Sequence, residues 1–272
     1  MASNLFVIEN RVVVVTGGVG QLGRQFSLSL LERGAKVAVF DLAGAVAGEA
    51  KRFGPAVNND NLLLVSVDVT KRKSIEAALA QVNAKWGVPQ GLINAAALDS
   101  PPNAPVEENG PFENYPESSW SQVIDVNLKG VFFCCQVAGG QMASAGRGSI
   151  INIGSIYGIV SPDQRVYEYR RKSGVPFVKP VAYSASKSGL VNLTRYLSTY
   201  WARQNVRVNM LTLGGVFNNQ DAEFLKEYCA RVPMGRMARE DDYNGAIVFL
   251  ISDASAYMTG ANLVMDGGWT AW

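Results

Sequence analysis

The stretch that most constrains the fold is Arg11-Val12-Val13-Val14-Val15-Thr16, which runs directly into glycines. Its four valines are β-branched and stiff at χ1, and the run is too short for a buried helix. Unbroken apolarity of this kind marks a strand covered on both faces, as in parallel sheets. Thr16-Gly17-Gly18-Val19-Gly20-Gln21-Leu22-Gly23 then leads into Arg24–Arg33, where Phe26, Leu30 and Leu31 share one helical face before Gly34 ends the helix. Glycine lets the backbone turn tightly and approach a phosphate, whose charge is drawn to the free N–H groups at a helix N-terminus. Alone, such a turn is also an ordinary strand-to-helix loop. Between a strand and a helix it becomes a candidate dinucleotide site, carried by Thr16, Gly17, Gly20, Gln21, Leu22 and Gly23.

The same alternation continues along the chain. A second strand, Lys36–Phe40, ends in Asp41, 18 residues after Gly23. An acid there accepts hydrogen bonds from ribose hydroxyls and repels a 2′-phosphate, favouring NAD over NADP, with Arg24 beside the phosphate turn as the opposing signal. Leu62–Val67 ends in Asp68-Val69 and precedes a helix through Ile75, Leu79 and Val82. Gly91–Asn94 is a short fourth strand running into Ala95-Ala96-Ala97, small residues that let a cofactor lie against the backbone. Residues 98–119 hold Pro101, Pro102, Pro105, Pro111 and Pro116 and read as a long surface loop, a wall for a substrate site. An apolar helix follows from Trp120 to Ala138, capped by Ser118 or Ser119, in which Asn127 is an unusual member needing partners. Further strands fall at Ser149–Ile153, Val206–Thr212 and Asn262–Met265. Helix-like stretches occupy Ala222–Ala230, within a segment suited to a lid, and Tyr243–Ile251. The pattern predicts an α/β protein: a single Rossmann-type, doubly wound parallel sheet of about seven strands with helices on both faces. One domain is expected over 1–272, with substrate-loop insertions near 98–119 and 161–180.

Tyr183 and Lys187 stand four residues apart in Tyr183-Ser184-Ala185-Ser186-Lys187, on one face of a predicted helix. A cation beside a phenol favours the phenolate, so Lys187 is expected to bring Tyr183 toward working pH for acid/base chemistry on an alcohol or carbonyl. Ser155 ends the fifth strand, facing the crevice where open α/β sheets bind ligands, with Tyr157 just beyond it. The chain has no histidine, which removes Ser-His-Asp and Cys-His catalysis and most transition-metal sites. Cys134, Cys135 and Cys229 fit neither a disulfide framework nor zinc spacing, so no metal and a reducing, cytoplasmic setting are expected. A net charge of +2 gives no case for nucleic acid. Apolar runs well short of a bilayer span, and an N-terminus without a signal-peptide pattern, give none for a membrane. Between Ser155 and Tyr183, residues 161–180 hold Arg165, Arg170, Arg171, Lys172 and Lys179 against Asp163 and Glu168, with Tyr167 and Tyr169 interleaved. Such a loop is either a solvated basic surface or a site for an anionic, sugar-bearing substrate.

Together these residues resemble the short-chain dehydrogenase/reductase family over nearly the whole chain, Arg11 to Trp269. The resemblance implies that Asn127, Ser155, Tyr183 and Lys187 are the catalytic four. Tyr183 would pass the proton, Ser155 would hold the substrate oxygen, Lys187 would hold the nicotinamide ribose, and Asn127 would support a water path to Lys187. The dinucleotide would be held by the glycine turn, Asp41, Asp68, Val69, Asn94, Ala95, Ala96, Tyr183, Lys187, Gly214 and Val216. Ser155, Tyr157, Tyr183, Arg165 and Gly215 would face substrate. Three departures stand out: TGxxGxxG spacing in the turn, Asn94-Ala95-Ala96-Ala97 where the family has Asn-Asn-Ala-Gly, and Leu213-Gly214 where it has Pro-Gly. The two insertions, together with the run Ser161-Pro162-Asp163-Gln164-Arg165, resemble members associated with bacterial surface-sugar biosynthesis. The expected activity is an NAD(H)-preferring carbonyl reductase or alcohol dehydrogenase acting on a phosphorylated or nucleotide-linked sugar. The alternatives are an NADPH-dependent reductase of acyl thioesters or small ketones, and a dinucleotide-binding sensor or scaffold without turnover. A homotetramer or homodimer is implied through helices near 120–140 and 183–203, and Trp269 and Trp272 are expected to bury against another subunit.

Overall fold

The computed structural model describes residues 4–100 and 104–272; Pro101 and Pro102 lie outside the described residues. Among the described residues there are seven strands: β1 (Val12–Thr16), β2 (Lys36–Asp41), β3 (Leu62–Ser66), β4 (Gly91–Asn94), β5 (Gly148–Ser155), β6 (Val206–Leu213) and β7 (Asn262–Met265). They form one sheet in the order β3-β2-β1-β4-β5-β6-β7, and every pairing is parallel. The chain winds outward from β1 in one direction and then returns to β4 to wind in the other. A crevice therefore opens between the ends of β1 and β4, the place where such sheets hold ligands.

Successive side chains of β1 point to opposite faces, so its four valines supply two cores. Val13 and Val15 pack with Phe26 and Leu30 of α1 (Gln21–Leu31) and with Ile247, Leu250 and Ile251 of the last helix, Asn244–Ile251. Val12 and Val14 pack with Leu79 of the helix Arg72–Trp86 and with residues of two long helices, Glu117–Ser144 and Val181–Trp201. Each fully buried valine or leucine in these layers contributes about 1.5–3 kcal/mol. In chain order the helices are α1, α2 (Ala43–Glu49), α3 (Arg72–Trp86), α4 (Glu117–Ser144), α5 (Glu168–Lys172), α6 (Val181–Trp201), α7 (Ala222–Cys229) and α8 (Asn244–Ile251). The sequence pattern did not indicate α2 or α5.

Helix α4 is longer than expected and departs from regular geometry. It widens into π-helical stretches at Asp125–Gly130 and Cys135–Gly139. Its cap position is Pro116, which has no side-chain acceptor; Ser118 and Ser119, expected as caps, lie inside the first turn, and Ser119 donates its hydroxyl to Glu108 (3.2 Å). One 18-residue window of the 28-residue α4 reaches a mean hydropathy of 1.2, long and apolar enough by length and composition to cross a membrane, although polar residues interrupt its apolar runs. Packing accounts for that composition: Val131, Cys134, Ala138 and Met142 are buried in the layer shared with Leu190 and Trp201 of α6. Trp269 is also buried within its own chain, its ring stacked 4.5 Å from that of Tyr228, whereas Trp272 is 81% exposed.

Candidate active site

Gly17 takes a left-handed φ of +62°, and a Cβ there would lie 2.7 Å from the Cα of Ala96. Gly23 is tighter still, since its Cβ would fall 2.2 Å from the carbonyl oxygen of Gly17, so only glycine lets α1 close onto the turn. Around Gly20 the one neighbour of an added Cβ is the Gly17 oxygen at 3.3 Å, which leaves the backbone open to a ligand. No side chain caps the start of α1 and no acid sits in its first turn, so its first N–H groups face outward for an anion. At the end of β2, Asp41 accepts from Val19 N–H at 3.0 Å and from Leu42 N–H at 2.9 Å. Its carboxylate is thereby fixed at the rim of the turn. Asp68 accepts from the hydroxyl of Thr70 at 2.6 Å and pairs with Lys71 at 3.1 Å. Burial opposes its ionisation, but these partners outweigh burial and hold its pKa below the ordinary value. Val69 leans on Gly130, where a Cβ would come within 2.9 Å of it. These residues fit a dinucleotide: the N–H groups would take the pyrophosphate, Asp41 a ribose, and Asp68 with Val69 would border the base.

Thr16 accepts hydrogen bonds from Ala95 N–H at 3.1 Å and Ala96 N–H at 3.2 Å, tying β1 to the end of β4. Asn94, 2% exposed, donates to Asn152 at 2.8 Å, and Asn152 donates to Thr194 at 2.9 Å. This buried chain links β4, β5 and α6.

Gln21, Leu22, Ala95, Ser155, Tyr157, Tyr183, Lys187, Gly214, Gly215 and Val216 line one cleft of about 720 Å³. The glycine turn and the Tyr-Lys helix thus meet in a single space, although Tyr183 is 160 residues beyond Gly23 in the chain. Lys187, 3% exposed, donates to the carbonyl of Ile153 on β5 at 2.8 Å, with its ammonium 5.8 Å from the Tyr183 ring centre. Its pKa is lowered by desolvation to about 8. Tyr183 moves the other way, pushed up to about 12 by desolvation, with a hydrogen bond from Ser155 drawing it down and the Asp99 carboxylate adding to the rise. The expected lowering of the Tyr183 pKa by Lys187 is therefore corrected. Burial weakens the cation, and the lysine is turned toward β5 rather than the phenol oxygen. Ser155 also accepts from Tyr157 N–H at 3.2 Å, and Tyr157 is buried with its phenol pKa raised by desolvation.

Asn127 lies beside this cleft in the first π-helical stretch and is fully buried. It accepts from Leu98 N–H at 2.7 Å and donates to the Leu98 carbonyl at 2.8 Å and to Ser186 at 3.1 Å. Its side chain is spent on clamping the first insertion to α6. Gly214 N–H donates to the Met265 carbonyl at 2.9 Å, and Gly215 N–H donates to the Tyr228 hydroxyl at 2.7 Å. These bonds hold the turn after β6, where the family's proline is absent.

Arg165, expected to face substrate, does not line the cleft. Its guanidinium pairs with Asp163 at 2.9 and 3.0 Å and its side chain is 78% exposed. The insertion instead sends Tyr167, Arg170, Phe177 and Lys179 to the cleft, opposite Asp99 and Asp221. Each of its five basic residues has a protein partner. Arg170 meets the Tyr169 hydroxyl and Asp221, Arg171 the carbonyls of Phe177 and Gln164, Lys172 Glu168, and Lys179 Asp99. Sequence had named Tyr167, Arg170 and Lys179 within the insertion but not their partners, because pairings such as Lys179 with Asp99 join positions 80 residues apart.

Comparison with known proteins agrees with this geometry. A family model described as enoyl-(acyl carrier protein) reductase matches residues 18–270. The NAD-dependent glycerol dehydrogenase of Listeria innocua is 30% identical, covering 97% of this chain and 96% of its own. The chain belongs to the short-chain dehydrogenase/reductase family. Among solved structures, a short chain dehydrogenase from Leptospira borgpetersenii with bound NAD+ aligns with a TM-score of 0.84 and 30% identity over 99% of this chain and 97% of that one. A gluconate 5-dehydrogenase from Burkholderia cenocepacia, in complex with NADP and tartrate, aligns with a TM-score of 0.84 and 27% identity over the full length of both. The protein is an oxidoreductase of this family acting on CH–OH groups, with NAD or NADP as its cofactor.

Proposed function

We propose that this enzyme interconverts the alcohol and carbonyl forms of a small, neutral, polyhydroxylated substrate, with Tyr183 as general acid and base. The observation that carries the reading is the shared cleft, where Ser155, Tyr183 and Lys187 stand beside Gln21 and Leu22 of the glycine turn and Gly214 to Val216 after β6. In reduction the Tyr183 hydroxyl gives its proton to the substrate oxygen as the carbonyl becomes an alcohol. In oxidation its phenolate takes that proton back. Ser155 donates to the same oxygen and orients it. When bound, the nicotinamide supplies or receives the hydride. Lys187, Ala95 and Val216, which line the same cleft, would hold the nicotinamide riboside, and Asp41 would favour NAD at the opposite end.

The five basic residues of 161–180 first pointed to a phosphorylated or nucleotide-linked sugar. Their internal pairing favours a neutral substrate, since at four of the five, including Arg170 and Lys179 in the cleft, an arriving phosphate would have to displace a protein carboxylate. The glycerol specificity in the name of the Listeria relative supports the same direction. The test is nicotinamide absorbance with polyols, sugars, simple ketones and acyl thioesters. Tyr183→Phe should lower turnover by a factor of about 100 or more while NADH still binds. Turnover retained in that variant would remove Tyr183 from the chemistry. Saturable NADH binding without turnover on any alcohol or carbonyl would support the sensor reading.

A further inference from the structure

The two insertions meet at the mouth of the cleft. Asp99 opens the first, Lys179 closes the second, and Val178 N–H donates to the Asn109 carbonyl across them at 2.8 Å. The Lys179 ammonium reaches both carboxylate oxygens of Asp99 at 2.5 Å and sits 5.6 Å from the Tyr183 ring centre. Its backbone is held by Gln164, which accepts from Lys179 N–H at 3.0 Å, and its side chain is only 11% exposed. Asp99 is 61% exposed, so its remaining lone pairs face solvent and the cleft. The pair therefore stands beside the proton-transferring phenol as a fixed donor joined to a fixed acceptor.

We propose that Asp99 and Lys179 together recognise the hydroxyl next to the reacting carbon and make the enzyme selective for neutral vicinal polyols. This deepens the dehydrogenase reading above and rests on it. An ammonium has three N–H donors and a carboxylate about four acceptor positions, so the ion pair keeps one of each for a ligand. A neighbouring hydroxyl, both donor and acceptor, satisfies both groups. A mono-alcohol leaves them unmatched. A hydroxy acid would meet Lys179 but would place its own carboxylate against that of Asp99, while Arg170 already faces Asp221 at 3.5 Å and Lys187 is engaged by the Ile153 carbonyl at 2.8 Å.

The experiment compares three four-carbon probes, threitol, 2-butanol and threonate, through kcat/KM with NAD in the wild type, Asp99→Asn and Lys179→Met. The threitol-to-2-butanol ratio should fall about tenfold to a hundredfold in each variant, as expected for losing a charged hydrogen-bond partner. In Asp99→Asn alone, the threonate-to-threitol ratio should rise, because Lys179 is then unbalanced. An unchanged threitol-to-2-butanol ratio in both variants would overturn the proposal. So would a wild type that prefers threonate and loses that preference in Lys179→Met, since Lys179 would then anchor an anion. The dehydrogenase reading fails separately, by absence of turnover on all probes or by an active Tyr183→Phe. In that event threitol binding to the NADH complex, followed by tryptophan fluorescence in the same variants, still decides the role of the pair, and circular dichroism excludes misfolding.

Discussion

Lys187 gives its ammonium to the Ile153 carbonyl and Lys179 gives its own to Asp99, and burial carries the Tyr183 phenol up to about 12 and Lys187 down to about 8. The two directions of the reaction then differ in their need for titration. Carbonyl reduction uses the protonated phenol, which is the dominant form anywhere below that value. Alcohol oxidation uses the phenolate, whose fraction grows about tenfold per pH unit below the pKa. The expected outcome is that between about pH 5.5 and 7.5, below the titration of Lys187, kcat/KM for oxidation climbs steadily while kcat/KM for reduction stays nearly level. Initial rates in both directions across that range check it, and an oxidation plateau already at pH 7 would show that the phenolate is stabilised in the working enzyme. The four-residue spacing of Tyr183 and Lys187 was legible, because helical periodicity is local. Where the lysine points was not, because that depends on a carbonyl of β5, 34 residues away in sequence. Asn127 teaches the same point, its side chain being claimed by Leu98 of the insertion.

Among the elements, β1, the glycine turn and α1 form the unit whose geometry tolerates least change. Gly23→Ala would set a Cβ 2.2 Å from the Gly17 oxygen, a backbone atom with no flexible side chain to give way. Either α1 lifts off the turn or the turn reshapes, so a loss of about 1–3 kcal/mol of stability is expected, as in other overpacked sites. Chemical denaturation measures it, and a variant as stable as wild type with unaltered NADH affinity would contradict this account. The strands and long helices were readable because β-branched runs and 3.6-residue periodicity are strong local signals. Helices α2 and α5 were not. The first is a short run of small residues, Ala43-Gly44-Ala45-Val46-Ala47-Gly48, and the second is a five-residue charged turn in a loop. Side-chain directions in the insertions were equally hidden. They are set by distant partners such as Arg231, which reaches Asp163 at 2.8 Å across 68 residues.

For the whole molecule, the strand order places the phosphate turn and Asp41 on one side of the switch point and Ser155, Tyr183 and Lys187 on the other. A dinucleotide spanning the crevice would bridge the two halves, so binding should appear as global stabilisation. At a ligand concentration 100 times Kd the gain is about 2.7 kcal/mol, which for a chain of this length corresponds to a Tm rise of about 5–10 °C. The size of that rise with each nucleotide also bears on preference. Asp41, fixed by Val19 N–H at 3.0 Å, presents a negative charge where a 2′-phosphate would sit, and Arg24 is engaged by Glu240 at 3.3 Å. NAD should therefore raise Tm more than NADP at equal concentration. Asp41→Ala should shrink the NAD shift and enlarge the NADP shift, because it removes both the ribose acceptor and the repelling charge. If both shifts fall equally, Asp41 serves only to brace the turn, and discrimination must come from elsewhere on the adenosine side. If NADP gives the larger shift in the unmodified protein, Arg24 leaves Glu240 for the phosphate, a rearrangement that Glu240→Gln would then make easier.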